Sequence, residues 1–127
     1  LHIMSWQAYV DDSLVGTGTV TKGALHGLDG NVWATSAGFS VSPAEAKAII
    51  AGFSNPASIQ GSGIMAAGAK YMTIRAEANS VYGKRGPGGI VCVKTGQALI
   101  IGVYDENVQP GQCTATVEKL GDYLRDQ

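Results

Sequence analysis

AKYMTIRAEANSVYGKRGPGGIVCVKTGQALIIGVY, residues 69–104, is the stretch that decides the fold. Three strand signals follow one another in it, over 70–78, 90–95 and 98–104, separated by the glycine-rich connector Gly83–Gly89 and by a turn at Thr95-Gly96. Consecutive strands with short breaks form an antiparallel meander. In the first strand Met72, Ile74 and Ala76 alternate with Tyr71, Thr73, Arg75 and Glu77, which predicts a buried apolar face and a polar, aromatic outer face. Leu99-Ile100-Ile101 shows no alternation, so the last strand is expected to be covered on both sides.

The pattern changes on either side of the meander. Towards the C-terminus, Pro110-Gly111 precedes a helical stripe of Cys113, Val117, Leu120 and Leu124. Towards the N-terminus, Asn55-Pro56-Ala57 signals a one- or two-turn helix, and Ser42-Pro43-Ala44-Glu45 is a capping box with proline at the first helical position. That box opens a helix with Ala46, Ile49, Ile50 and Phe53 on one face, which Gly52 is expected to help end. Further back, residues 24–28 and 31–36 flank Asp29-Gly30, a hairpin turn signal. From Ser5 to Val15, Trp6, Val10 and Leu14 recur at helical spacing behind a serine cap. The expectation is one α/β domain of the α+β type, an antiparallel sheet with helices packed on its faces.

Composition agrees and narrows the function. The chain has 127 residues, 45% hydrophobic and 15% charged, which suits one domain and is too short for two. Nine Lys+Arg against ten Asp+Glu leave a net charge of -1, without the basic excess that nucleic-acid binding needs. No apolar run approaches the ~20 residues of a membrane span and no secretory leader is evident, so the chain reads as soluble and unexported. Leu1-His2-Ile3 ahead of Met4 reads as an expression scar, with the domain over 4–127 and His26 as the one native histidine. Cys92 and Cys113 lack metal-ligand spacing and read as reduced thiols of a cytosolic protein.

Two constellations stand out. Trp6 and Tyr9 share a helix face, Trp33 stands on the adjacent hairpin, and Tyr123 lies off the apolar stripe of the last helix; they form either one aromatic cluster or ordinary core. Lys70, Arg75, Lys84, Arg85 and Lys94 face only Glu77 between residues 70 and 94. Such a local excess suits an acidic protein surface or an anionic lipid headgroup, and equally a solvated sheet edge.

Enzyme signatures are weak. Gly83–Gly89 lacks the order of a phosphate-binding loop, His26 has no Gly-x-Ser-x-Gly partner, and the carboxylate pairs Asp11-Asp12 and Asp105-Glu106 read as solvated turns. Catalysis, a metal and a cofactor are therefore not expected.

Ser5-Trp6-Gln7-Ala8-Tyr9-Val10-Asp11, Trp33-Ala34, Lys70-Tyr71-Met72-Thr73-Ile74-Arg75, Tyr82-Gly83-Lys84-Arg85-Gly86, Pro110-Gly111-Gln112-Cys113 and Gly121-Asp122-Tyr123-Leu124 together resemble profilins, most of all the plant, fungal and amoeboid branch. The resemblance runs over nearly the whole chain from Met4. It implies a sheet with the terminal helices on one face and the shorter helices on the other. It also implies a largely monomeric cytoplasmic protein of the cytoskeleton, which binds actin monomers, regulates their polymerisation and holds proline-rich proteins such as formins. By resemblance, Trp6, Tyr9, Trp33 and Tyr123 bind polyproline. Lys70, Thr73, Arg75, Lys84, Gln109, Gly111, Thr114 and Lys119 are the implied actin contacts. Lys84, Arg85 and Lys94 match the stretch linked to phosphatidylinositol bisphosphate. A phosphoinositide or proline-rich scaffold without actin activity is the alternative.

Overall fold

Hydrogen bonding along the meander builds the centre of a seven-stranded sheet. The structure, a computed structural model, describes residues 5–126, so the proposed scar at 1–3 lies outside the described residues. The strands are β1 (Lys22–Gly27), β2 (Val32–Thr35), β3 (Ile64–Ala66), β4 (Ala69–Ala76), β5 (Ser80–Arg85), β6 (Gly88–Lys94) and β7 (Ala98–Tyr104). Their order is β2-β1-β7-β6-β5-β4-β3, with every neighbouring pair antiparallel.

Two helical layers cover the sheet. On one face, α1 (Trp6–Ala8) runs into a π-helical segment (Tyr9–Leu14) and a 3-10 turn (Val15–Thr17), beside α4 (Pro110–Arg125). Tyr9, Val10, Leu14, Val91, Val93, Ile100, Cys113, Val117 and Leu120 form the core of that layer. On the other face α2 (Pro43–Ser54) and α3 (Pro56–Ser62) bury Ala46, Ile49, Phe53 and Ile59 against Ile64, Tyr71, Ile90, Leu99 and Ile101. Leu99, Ile100 and Ile101 are fully buried and divide between the two cores, as the unbroken apolar run requires. Among the described residues no helix is long and apolar enough to cross a membrane.

Three local expectations are corrected. The connector Gly83–Gly89 is largely strand: β5 and β6 meet at a tight turn around Gly86, whose φ is +57°. Gly83 belongs inside β5 because a Cβ there would come within 2.9 Å of Ile64, Ile90 and Tyr71 side chains, so the position admits no side chain. The second correction concerns β4, which faces the opposite way. Tyr71 and Thr73 point into the core, while Met72 and Ile74 are 69% and 55% exposed. The inward threonine is tolerated because its hydroxyl donates to the Ile59 carbonyl of α3 at 2.6 Å, and a bulge after Thr73 then breaks the alternation. Third, Gly52 does not end α2, which continues to Ser54; its missing side chain makes room for Ile59, 2.5 Å from where a Cβ would stand.

Candidate functional site

The first surface is an aromatic row built where the N-terminal segment crosses the first hairpin. Ser5 caps α1 by accepting from Ala8 N at 3.0 Å, and the Gln7 amide donates to the Thr35 carbonyl of β2 at 3.0 Å. Those bonds hold Trp6 against Trp33, with ring centroids 4.6 Å apart. Trp33 lies flat over β1 because residue 27 is glycine; a Cβ there would stand 2.9 Å from the indole Nε1. Trp6 meets Tyr9 at 5.7 Å and Tyr9 meets Tyr123 of α4 at 6.2 Å.

The four aromatics thus form one continuous row, rooted in the core at Tyr9 and open to solvent at the other three. Tyr9 is buried at 7% exposure, but Trp6, Trp33 and Tyr123 expose 37%, 36% and 48%. Burial, and then a hydrogen bond with Tyr123, push the Tyr9 phenol above its ordinary pKa. The three centroid steps cover roughly five residues of a polyproline II helix at ~3.1 Å per residue.

The second surface is the outer side of β4 and β5, beyond the edge of α4. Lys70, Met72 and Ile74 project from β4, and the β3 residue opposite Lys70 is the exposed Met65. Lys84 of β5 pairs with Met72, and Lys70 and Lys84 line a common recess of about 370 Å³ with Gln60. Arg75 pairs with Glu77 at 2.8 Å and sits 5.8 Å from the centre of the Tyr82 ring. Gln109 and Gly111, exposed, and the partly exposed Thr114 open α4 at the end of the sheet where Lys84 pairs with Gly89.

A polar lock joins α4 to this surface. Ser80 Oγ donates to Glu118 Oε2 at 2.7 Å, and the Tyr82 hydroxyl donates to the same oxygen. Burial and the Glu118 carboxylate push the Tyr82 phenol up to about 12. Met65, Met72, Ile74 and Glu118 were missed from the sequence. Two of them carried a signal, since strict alternation puts Met72 and Ile74 on one face, but apolar character was read as pointing inward.

Other candidates separate. Thr73 lies beneath the surface, bonded to Ile59, so its side chain fixes α3 to β4. Lys119 emerges on the far side of α4, lining a pocket with Tyr9 and Tyr123. Lys84 and Arg85 are successive strand residues on opposite faces: Arg85 lines a recess with Phe39 and Tyr71 instead. Lys94 stands at the other end of β6, roughly 16 Å along the strand from Gly89 at ~3.3 Å per residue, with its carbonyl held by Arg125 at 2.7 Å. Among the described residues, no three His, Cys, Asp or Glu side chains cluster so as to hold a metal. His26 is buried, with Nδ1 2.9 Å from the Gly30 carbonyl.

Comparison with known proteins places this architecture. The family model for Profilin matches residues 4–127. Profilin-A of Physarum polycephalum is 56% identical over 123 residues, covering 97% of this chain and 98% of its own. The crystal structure of Acanthamoeba castellanii profilin II superposes with a TM-score of 0.95 at 54% identity, over 97% of this chain and 98% of that one. The fold also extends to mouse profilin IIa, solved in complex with a double repeat from the FH1 domain of mDia1, at a TM-score of 0.80 and 23% identity, over 97% of this chain and 98% of that one. A sheet with two helical layers, an aromatic row between the terminal helices and nearly full-length identity above one half lead to one conclusion: the chain belongs to the profilin family.

Proposed function

We propose that this protein binds actin monomers on the β4–β5 surface and proline-rich ligands on the aromatic row, and regulates actin polymerisation by coupling the two. The observation that carries the reading is the row itself: Trp33, Trp6, Tyr9 and Tyr123 in unbroken ring contact, three of them open to solvent. A polyproline II segment is extended before it binds and offers pyrrolidine faces and free carbonyls, which match flat rings and phenol or indole donors. Proline-rich proteins such as formins are the partners this chemistry selects.

For actin, the exposed Met72 and Ile74 supply a dry centre, and Lys70, Arg75 and Lys84 a basic rim suited to an acidic partner. The protein works by binding and not by catalysis. It favours nucleotide exchange on actin by preferring the open state of actin's cleft, which requires no reactive group of its own. This activity belongs to the cytoplasm and the cytoskeleton.

Phosphoinositide binding is proposed at Lys84 with Lys70, which share a recess, and not at one headgroup spanning Lys84, Arg85 and Lys94. Lipid and actin then compete. The test is a titration with poly-L-proline followed by tryptophan fluorescence, together with an actin-monomer binding assay. A saturable signal lost in Trp6→Ala and Tyr123→Ala, and actin binding lost in Lys84→Glu, is the expected result; a folded protein that binds neither refutes the reading.

A further inference from the structure

Among the described residues sulfur is either shut away or set on one face. Cys92 and Cys113 are fully buried, one in each core, while Met65 and Met72 are 42% and 69% exposed. Met65 of β3 stands opposite Lys70 of β4, and Met72 follows Lys70 by two residues. The two methionines are therefore diagonal neighbours on the side of the sheet turned away from Ile64 and Tyr71. This is the middle of the β4–β5 surface: Met72 pairs across to Lys84 and lines the recess that Lys70 and Lys84 share.

Access decides which sulfur an oxidant meets. A cysteine reacts as its thiolate and only where it can be reached, and burial denies both conditions at Cys92 and Cys113. A thioether has no proton to lose and needs access alone. Met65 and Met72 have it, so a peroxide reaches this face before it reaches either thiol.

We propose that Met72, with Met65 beside it, is a reversible oxidation site through which hydrogen peroxide lowers the affinity of this protein for actin monomers. The proposal rests on the actin-binding reading. The thioether sulfur attacks one peroxide oxygen; an S–O bond forms and the O–O bond breaks. The departing hydroxide takes the proton from the oxygen left on sulfur and leaves as water, so sulfur is oxidised by two electrons and the peroxide reduced by two. The product is a polar sulfoxide in place of a flexible apolar side chain. At Met72 it wets the dry centre of the surface and adds an acceptor oxygen across the strand pair from the Lys84 ammonium. Drawn onto that oxygen, Lys84 is withdrawn from the basic rim. Neither change reaches the aromatic row on the other flank of α4.

For the test, the protein alone is treated with hydrogen peroxide, the peroxide is destroyed with catalase, and actin is added afterwards so that its own methionines are spared. Mass spectrometry of proteolytic fragments locates each added oxygen. Met65 and Met72 are expected to gain one oxygen each while both cysteines stay reduced. Actin affinity is expected to fall about tenfold, as loss of one well-buried apolar contact gives, with poly-L-proline affinity unchanged. Methionine sulfoxide reductases are expected to restore it. Met65→Leu/Met72→Leu sets its own actin affinity, which peroxide is expected not to move; Met4, outside the described residues, stays in that variant as the control for oxidation elsewhere. Full actin affinity in protein shown by mass to carry sulfoxide at both positions overturns the proposal, as does an equal peroxide-induced loss in the double variant. An untreated protein that does not bind actin overturns the actin reading and the oxidation switch with it, and is told apart because the loss is then complete before any peroxide is added.

Discussion

Glu45 shows how one side chain settles two backbone problems. Its Oε1 accepts from Ser42 N at 2.9 Å, completing the capping box of α2, and from Ala67 N at 3.0 Å; its Oε2 accepts from Gly68 N at 3.0 Å. Ala67 is the one described non-glycine residue with left-handed backbone, φ +51°, so the β3–β4 turn is held in a costly conformation by this carboxylate. Burial alone would raise the Glu45 pKa, but the Gly68, Ser42 and Ala67 hydrogen bonds outweigh it and hold the carboxyl below its usual range. Folding therefore favours the ionised form. The resulting stability is complete above the ordinary glutamate pKa and is lost as pH falls through the lower, folded value. Glu45→Gln is expected to flatten the acid limb of a plot of urea midpoint against pH, and Glu45→Ala to cost roughly 2 kcal/mol at pH 7. An unchanged acid limb in Glu45→Gln would remove Glu45 from the account. The cysteines make the opposite case, since neither serves a site. Both are fully buried, and burial pushes the Cys113 thiol up to about 12 and Cys92 higher still, with Cys113 adding to the effect there. A disulfide reagent at pH 8 is expected to leave both thiols unmodified in the native protein and to modify both in denaturant; prompt native reaction would contradict the packing.

At the scale of elements, what the sequence made legible depended on whether one cause or two acted at a position. β7, α2 and α4 were readable because one cause sets each pattern: burial for the unbroken run and the clean stripe, hydrogen bonding for the capping box. β5 was not, because Gly83 occurs in it for want of space and not for want of structure, and spacing along the chain carries no trace of Ile64 or Tyr71 pressing from other strands. The inverted β4 has the same origin. A threonine turned inward to serve the Ile59 carbonyl puts its two apolar neighbours on the solvent side, a choice made by α3 and not by the strand itself. The aromatic row was legible in the spacing of its residues but its packing was not, since Trp33 lies close against β1 only because residue 27 beneath it is glycine. α4 seats on the sheet through two more close approaches: a Cβ at Gly102 would stand 2.5 Å from Val117, and one at Gly121 2.6 Å from Val93. Gly102→Val is expected to lift α4 from β7, costing about 2 kcal/mol or more in denaturant unfolding, and to weaken poly-L-proline binding by displacing Tyr123. Wild-type stability in this variant would show that the helix seats elsewhere.

For the whole molecule, the decisive feature is that α4 stands between the two surfaces. Glu118 looks towards Tyr82 and the β4–β5 side, while Lys119, the next residue, looks towards Tyr9 and the aromatic row. The two proposed ligands therefore approach opposite flanks of one helix, and a ternary complex needs no rearrangement of the sheet. Substitutions confined to one flank should be silent on the other and should add when combined. Trp6→Ala is expected to abolish proline binding and leave actin affinity within about twofold. Ile74→Ser is expected to reduce actin affinity roughly tenfold, chiefly through faster dissociation, because it removes apolar contact and no charge. Its stability should stay within ~0.5 kcal/mol, since the side chain is already mostly in water. The double variant should show the two losses and nothing more. Lys119 is the informative exception: it lies on the row's flank yet belongs to the actin contacts that the family resemblance implies, so Lys119→Ala should shift both affinities. Measured by fluorescence titration and monomer-binding assay on the same preparations, coupling between Trp6 and Ile74 above about 1 kcal/mol would mean that α4 transmits between its flanks; coupling confined to Lys119 would mean that it only divides them.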